Sequence, residues 1–179
     1  MRKAEYFNSP KKLSISSNIS RLPSKLYLQE RDWTCSIACM RSITSSIRYL
    51  GDEDNIVNKY AMKPGPFYSE QIKKLGVLSD YHVIYGCDFD SEYYDIKKLY
   101  DLMSDGYYIM VESMIGFDHW LVLFDYITNN EEITEKQCLL LYDPYYDEIK
   151  KYNVDEFESV WLSGDYANNN IFKDFIAVK

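Results

Sequence analysis

The chain has 179 residues, 46% of them apolar and 27% charged, with a formal net charge of −8. That length and balance suit one globular domain with a buried core, and the acidic surplus excludes the basic face that a nucleic-acid footprint requires. No apolar run reaches membrane-spanning length, so no membrane insertion is expected, and the polar start Met1-Arg2-Lys3-Ala4-Glu5 lacks the apolar core of a signal peptide, which points to the cytoplasm.

Residues 1–25, rich in Ser and Lys, read as a flexible N-terminal extension, and 26–179 as the folded domain. The first firm element runs from Thr34, as N-cap, to Leu50, closed by Gly51. Its stripe Cys39, Ile43, Ile47 and Leu50 marks the core face of a helix, with Cys35 one turn before Cys39 at its mouth. Past Lys63-Pro64-Gly65-Pro66, a short helix is expected over 69–75, stopped by Gly76, and then a strand over 81–85. Residues 92–104 read as helix, with Ile96, Leu99, Tyr100 and Met103 on one face. Asp105-Gly106 turns the chain into a strand at 107–111. Strands over 119–126 and 137–142 flank a polar loop at 128–135. A strand at 148–152, a helix at 154–161 and a strand at 171–178 follow. Helices early and an antiparallel meander late indicate the α+β class.

Four cysteines, Cys35, Cys39, Cys87 and Cys138, read as reduced thiols in a cytoplasmic chain. A metal site is not expected, because Cys35-x-x-x-Cys39 has no second pair and His82 lies far off in sequence; no cofactor is implied either. The chemistry concentrates instead on Cys35 and on His119, one of only two histidines. A thiol at a helix N-terminus, favoured as thiolate by the helix dipole, and an imidazole opening an apolar strand are the minimal parts of a cysteine nucleophile. In an antiparallel hairpin, residues equidistant from the loop centre face each other, and Glu131 lies midway between His119 and Asp143. Asp143, held extended by Pro144, is therefore expected opposite His119, orienting its ring. Gln29, six positions before Cys35, supplies an amide donor for an oxyanion.

Rival orienting acids are Asp118, Asp125, Asp147 and Glu148, with Asp118 expected to face away from its neighbour His119. Cys39 and Trp161 are assigned to the core and His82 to a structural role. Trp33 is placed at the cleft wall, and Trp120 on the sheet face opposite His119.

Gln29, Cys35-x-x-Ala38-Cys39, His119 with its apolar strand, Asp143-Pro144 and Phe157-x-x-x-Trp161, taken in order, resemble the C39 family of bacteriocin-leader-processing cysteine peptidases. Trp33-x-Cys35-x-x-Ala38-Cys39 and Arg48-Tyr49-Leu50-Gly51 are also similar to a papain-fold family of guanylyl cyclase domain proteins. The resemblance spans about residues 26–178. It implies a papain-like fold, with a nucleophile helix packed on a C-terminal antiparallel sheet, Cys35 as nucleophile, His119 as base, Asp143 as orienting acid and Gln29 as oxyanion donor. The chain departs from the family's usual Asp-Cys-Gly in having Thr34-Cys35-Ser36.

The expected function is thiol-dependent hydrolysis of a peptide or amide bond, with a peptide or protein as substrate. The alternatives are a deamidase, acyl transferase or cyclase using the same site, or a catalytically silent module that binds peptides.

Overall fold

The computed structural model describes residues 19–89, 95–114, 118–127, 138–165 and 170–179. The expected loop at 128–135, the start of the helix expected from 92, and residues 1–18 of the expected extension lie outside them.

The elements, in order, are β1 (Ile19–Ser20), α1 (Cys35–Thr44), α2 (Glu53–Lys59), α3 (Ser69–Leu75), β2 (Val83–Tyr85), α4 (Ile96–Ser104), β3 (Tyr108–Ser113), β4 (His119–Ile127), β5 (Cys138–Asp143), β6 (Glu148–Asn153), α5 (Val154–Val160), β7 (Ser163–Asp165), β8 (Asn170–Phe172) and β9 (Phe175–Val178). One antiparallel sheet runs in the order β2-β9-β3-β4-β5-β6, with β1 pairing β4 beside this path; β7 and β8 form a separate hairpin.

Residue alternation along β4 divides the core. Trp120, Val122 and Phe124 face one cluster, built with Ile37, Met40 and Ile43 of α1, Ile56 of α2 and Ile72 of α3. Leu121 and Leu123 face the other, built with Leu99, Leu102 and Met103 of α4 and Phe157 and Trp161 at α5. The sheet thus carries helices on both faces, rather than a single helix layer. A β-bulge between Leu123 and Asp125 resets the alternation, and Tyr126 joins the Leu121 side.

Helix α1 is shorter than its apolar spacing predicts. Its core face, Cys39 and Ile43, is fully buried, but Ile47 is 42% exposed. The helix gives way at Ser45, where the side chains of Ser45 and Ser46 accept hydrogen bonds from the backbone of Lys25 and Ser24. Local bonding by Ser competes with helix propagation. The expected cap is also displaced: Thr34 Oγ1 turns back to bond the backbone of Arg31 instead of closing the first turn.

Two further differences have local causes. Asp52 and the acidic first turn Glu53-Asp54 open α2, an element the apolar periodicity did not reveal. The strand expected over 171–178 is broken at Lys173-Asp174, separating β8 from β9. Within the expected extension, β1 pairs Ile19 with Tyr126 and Ser20 with Asp125, so the packed domain begins ahead of residue 26.

Candidate active site

The β4–β5 ladder pairs Val122 with Tyr142 and Leu123 with Leu141. Continued by one step, it sets Asp143 opposite Leu121, with His119 two residues further along the same face. His119 and Asp143 are therefore diagonal neighbours rather than the direct pair expected, and diagonal neighbours are still within reach of long side chains. The two meet, with His119 Nε2 2.7 Å from Asp143 Oδ1.

Asp143 is 3% exposed and His119 5%. Burial alone raises a carboxyl pKa, but the His119 hydrogen bond and charge, the Lys150 ammonium and the Tyr145 N–H outweigh it and bring Asp143 down to about 2. Oδ1 also accepts from Tyr145 N at 2.9 Å, and Oδ2 faces Lys150 Nζ at 3.0 Å. An ionised Asp143 requires the Nε2 proton of His119, so the neutral ring carries its lone pair on Nδ1, the state of a general base.

Cys35 opens α1 and is partly exposed. Its sulfur lies beside the backbone N–H of Trp120, the residue following His119 on β4, and beside its own N–H and that of Ser36. Those three donors favour a thiolate. Burial outweighs them and pushes the thiol up to about 12, with the Glu112 carboxylate adding to the rise. The dipole argument for a resting thiolate is thus reversed: Cys35 holds its proton until a base takes it.

Gln29 is buried, and its backbone N–H bonds Pro144 O at 3.0 Å, placing it against the turn that follows Asp143. Its amide nitrogen donates to Arg31 O at 2.8 Å, which uses one of its two hydrogens and leaves a second for another acceptor.

The groups are not all lodged in one cavity. Cys35 lines a space of about 290 Å³ with Trp33, Phe67, Glu112, Asp118 and Trp120. His119 and Asp143 line another of about 150 Å³ with Ser113, Leu121, Tyr146, Lys150 and Tyr152. Alternation along β4 explains the division, since Asp118 and Trp120 point to the α1 side and His119 to the other. Trp33 at the cleft wall, Trp120 and Asp118 opposite His119, and Cys39 and Trp161 in the core all stand where the sequence placed them. His82 is exposed and meets Tyr107 OH at 3.3 Å through Nδ1.

Two charged residues at the site escaped the sequence reading. Glu112, 1% exposed on β3, pairs with Trp120; a Glu at the end of Tyr108-Ile109-Met110-Val111 is a buried-charge signal that a strand ending at 111 leaves out. Lys150 on β6 bonds both Asp143 and Glu148. Its alternation along β6 toward Asp143 was the available clue.

The sequence matches no protein-family model, and no curated protein matches it.

Proposed function

We propose that the protein is a thiol-dependent hydrolase of peptide or amide bonds, with a papain-like arrangement of nucleophile helix and sheet. The observation that carries this reading is the buried His119–Asp143 pair at 2.7 Å, with the Cys35 sulfur beside the next backbone N–H of the same strand. Turnover requires Nδ1 of His119, which lines the neighbouring cavity, to reach the Cys35 sulfur round the start of β4; it then takes the thiol proton as sulfur attacks the carbonyl carbon, and ionised Asp143 stabilises the imidazolium. The Cys35 backbone N–H and the remaining Gln29 amide hydrogen hold the oxyanion. Protonation of the leaving amine by His119 releases it and forms a thioester, which water then cleaves. A thiol held at about 12 suits this order of events, in which proton transfer accompanies attack.

The test is labelling with a mixed set of peptidyl acyloxymethyl ketones, read by intact-mass and peptide mass spectrometry. One adduct per chain on Cys35, lost in His119→Ala, is expected. Adducts distributed over Cys87 and Cys138, or unchanged in His119→Ala, would overturn the reading.

A second reading, a peptide-binding module without turnover, is favoured by the separate cavities of Cys35 and His119. It predicts saturable peptide binding with no adduct on Cys35.

A further inference from the structure

The cavity beside Cys35 has a distinct chemical character. Its walls include the rings of Trp33, Phe67 and Trp120, and its polar lining includes the carboxylates of Asp32, Glu112 and Asp118; among the described residues no lysine or arginine lines it. The aromatic wall is held in place. Trp120 Nε1 donates to Phe67 O at 2.7 Å, and the Trp33 and Phe67 ring centroids lie 6.4 Å apart. Tyr68 OH fixes Asp118 through Oδ2 at 2.9 Å, while the buried Oδ1 of Asp118 has no hydrogen-bond partner among the described residues. Arg31, which precedes Asp32, is turned toward Glu53 and Asp54 of α2.

Aromatic faces and carboxylates around one small space are complementary to a positive charge and repel a negative one. Rings attract cations through their quadrupole, and a carboxylate accepts its stronger hydrogen bonds from N–H groups that carry charge. At about 290 Å³ the space is at the low end for ligand pockets and matches one long side chain rather than a large ligand.

We propose that this cavity is a subsite for a positively charged side chain, Arg or Lys, of a peptide bound at Cys35. Its role as a substrate subsite rests on the reading of Cys35 as nucleophile, whereas the binding itself does not. Asp118 meets the cation, the buried Glu112 adds to the negative field around it, and the rings lie along the aliphatic stem, with Asp32 at the exposed rim.

The test uses full-length Cys35→Ala protein, which cannot turn a substrate over. It is titrated with N-acetyl-arginine amide, N-acetyl-lysine amide and the uncharged N-acetyl-citrulline amide, followed by tryptophan emission and calorimetry. Saturable binding of at least one cationic amide, at least tenfold tighter than the citrulline amide, is expected. In Asp118→Asn this preference should fall at least fivefold, while Glu148→Gln, remote from the cavity lining, leaves it unchanged. Equal binding of charged and uncharged amides overturns the proposal, as does a preference that survives Asp118→Asn intact. A cation preference in a protein that fails the Cys35 adduct test would leave the cavity assignment standing and remove only the hydrolase reading.

Discussion

His119 Nε2 and Asp143 Oδ1 sit 2.7 Å apart between two strands whose ladder makes them diagonal neighbours, and Lys150 closes the other carboxylate oxygen at 3.0 Å. Asp143 is held at about 2, below its ordinary 3.8, so the unfolded chain takes up this proton at higher pH than the folded one. Its contribution to stability is complete above about pH 4 and is lost as pH falls toward 2, amounting to about 2 kcal/mol. In urea unfolding, the wild-type advantage over Asp143→Asn should be large at pH 6 and shrink by about that amount by pH 2. Lys150→Met should move the acid unfolding midpoint upward. A gap between wild type and Asp143→Asn that stays constant with pH would contradict this account.

The Cys35 thiol gives a second pH signature. With burial and Glu112 pushing it up to about 12, iodoacetamide alkylation of Cys35 should be slow at neutral pH and still accelerating at about pH 10. Glu112→Gln should shift that curve to lower pH. A plateau already reached near pH 6 would mean that the helix N-terminus and imidazole dominate after all.

Ser42 joins α1 to the segment that carries Gln29. Its hydroxyl accepts from Tyr27 N at 2.9 Å and donates to Ala38 O at 2.8 Å, fully out of solvent. Ser42→Ala strands the Tyr27 N–H, which costs about 1–3 kcal/mol. The expected result is a lower urea midpoint with an unchanged slope, and an unaltered midpoint would show that the segment relaxes freely.

Gly86 marks a tight passage between the chain after β2 and the start of β9. A Cβ there would lie 2.8 Å from Phe175 N and 2.9 Å from Asp174 Oδ1, both belonging to buried residues. Gly86→Ala should destabilise by about 1–3 kcal/mol, as overpacking commonly does. Thermal unfolding checks it, and a Tm equal to wild type would refute the close packing.

Much of the architecture was legible in periodicity and punctuation. Gly76, left-handed at φ 69°, ends α3 where the sequence stops it, and Asp105-Gly106 turns the chain before β3. The His119–Asp143 meeting was also legible, because the alternation of a strand preserves the face even when the pairing slips by two residues. What periodicity could not carry was the bulge at Leu123–Asp125, the Ser-driven end of α1, and the short, mostly polar α2. The first two depend on a ladder offset and on side-chain-to-backbone bonds, and the third on an acidic first turn, all of which leave the apolar pattern unchanged. Glu112 and Lys150 were missed for a related reason: a charge in a strand is visible in sequence, but its partner on the neighbouring strand is not.

The placement of β9 bears on how the molecule comes into being. Positions 175–178 pair with β2 on one side and β3 on the other, and Asp174, just before them, accepts hydrogen bonds from the backbone of Ser69 and Glu112 and from the indole of Trp161. On the ribosome, β2 must wait for this strand before it joins the sheet, and β3, which pairs β4, must wait for it before its other edge is covered. The nascent polypeptide therefore emerges with its thiol already made but with the frame behind Glu112 unassembled, and the burial that holds the Cys35 proton is complete only once synthesis has passed residue 178.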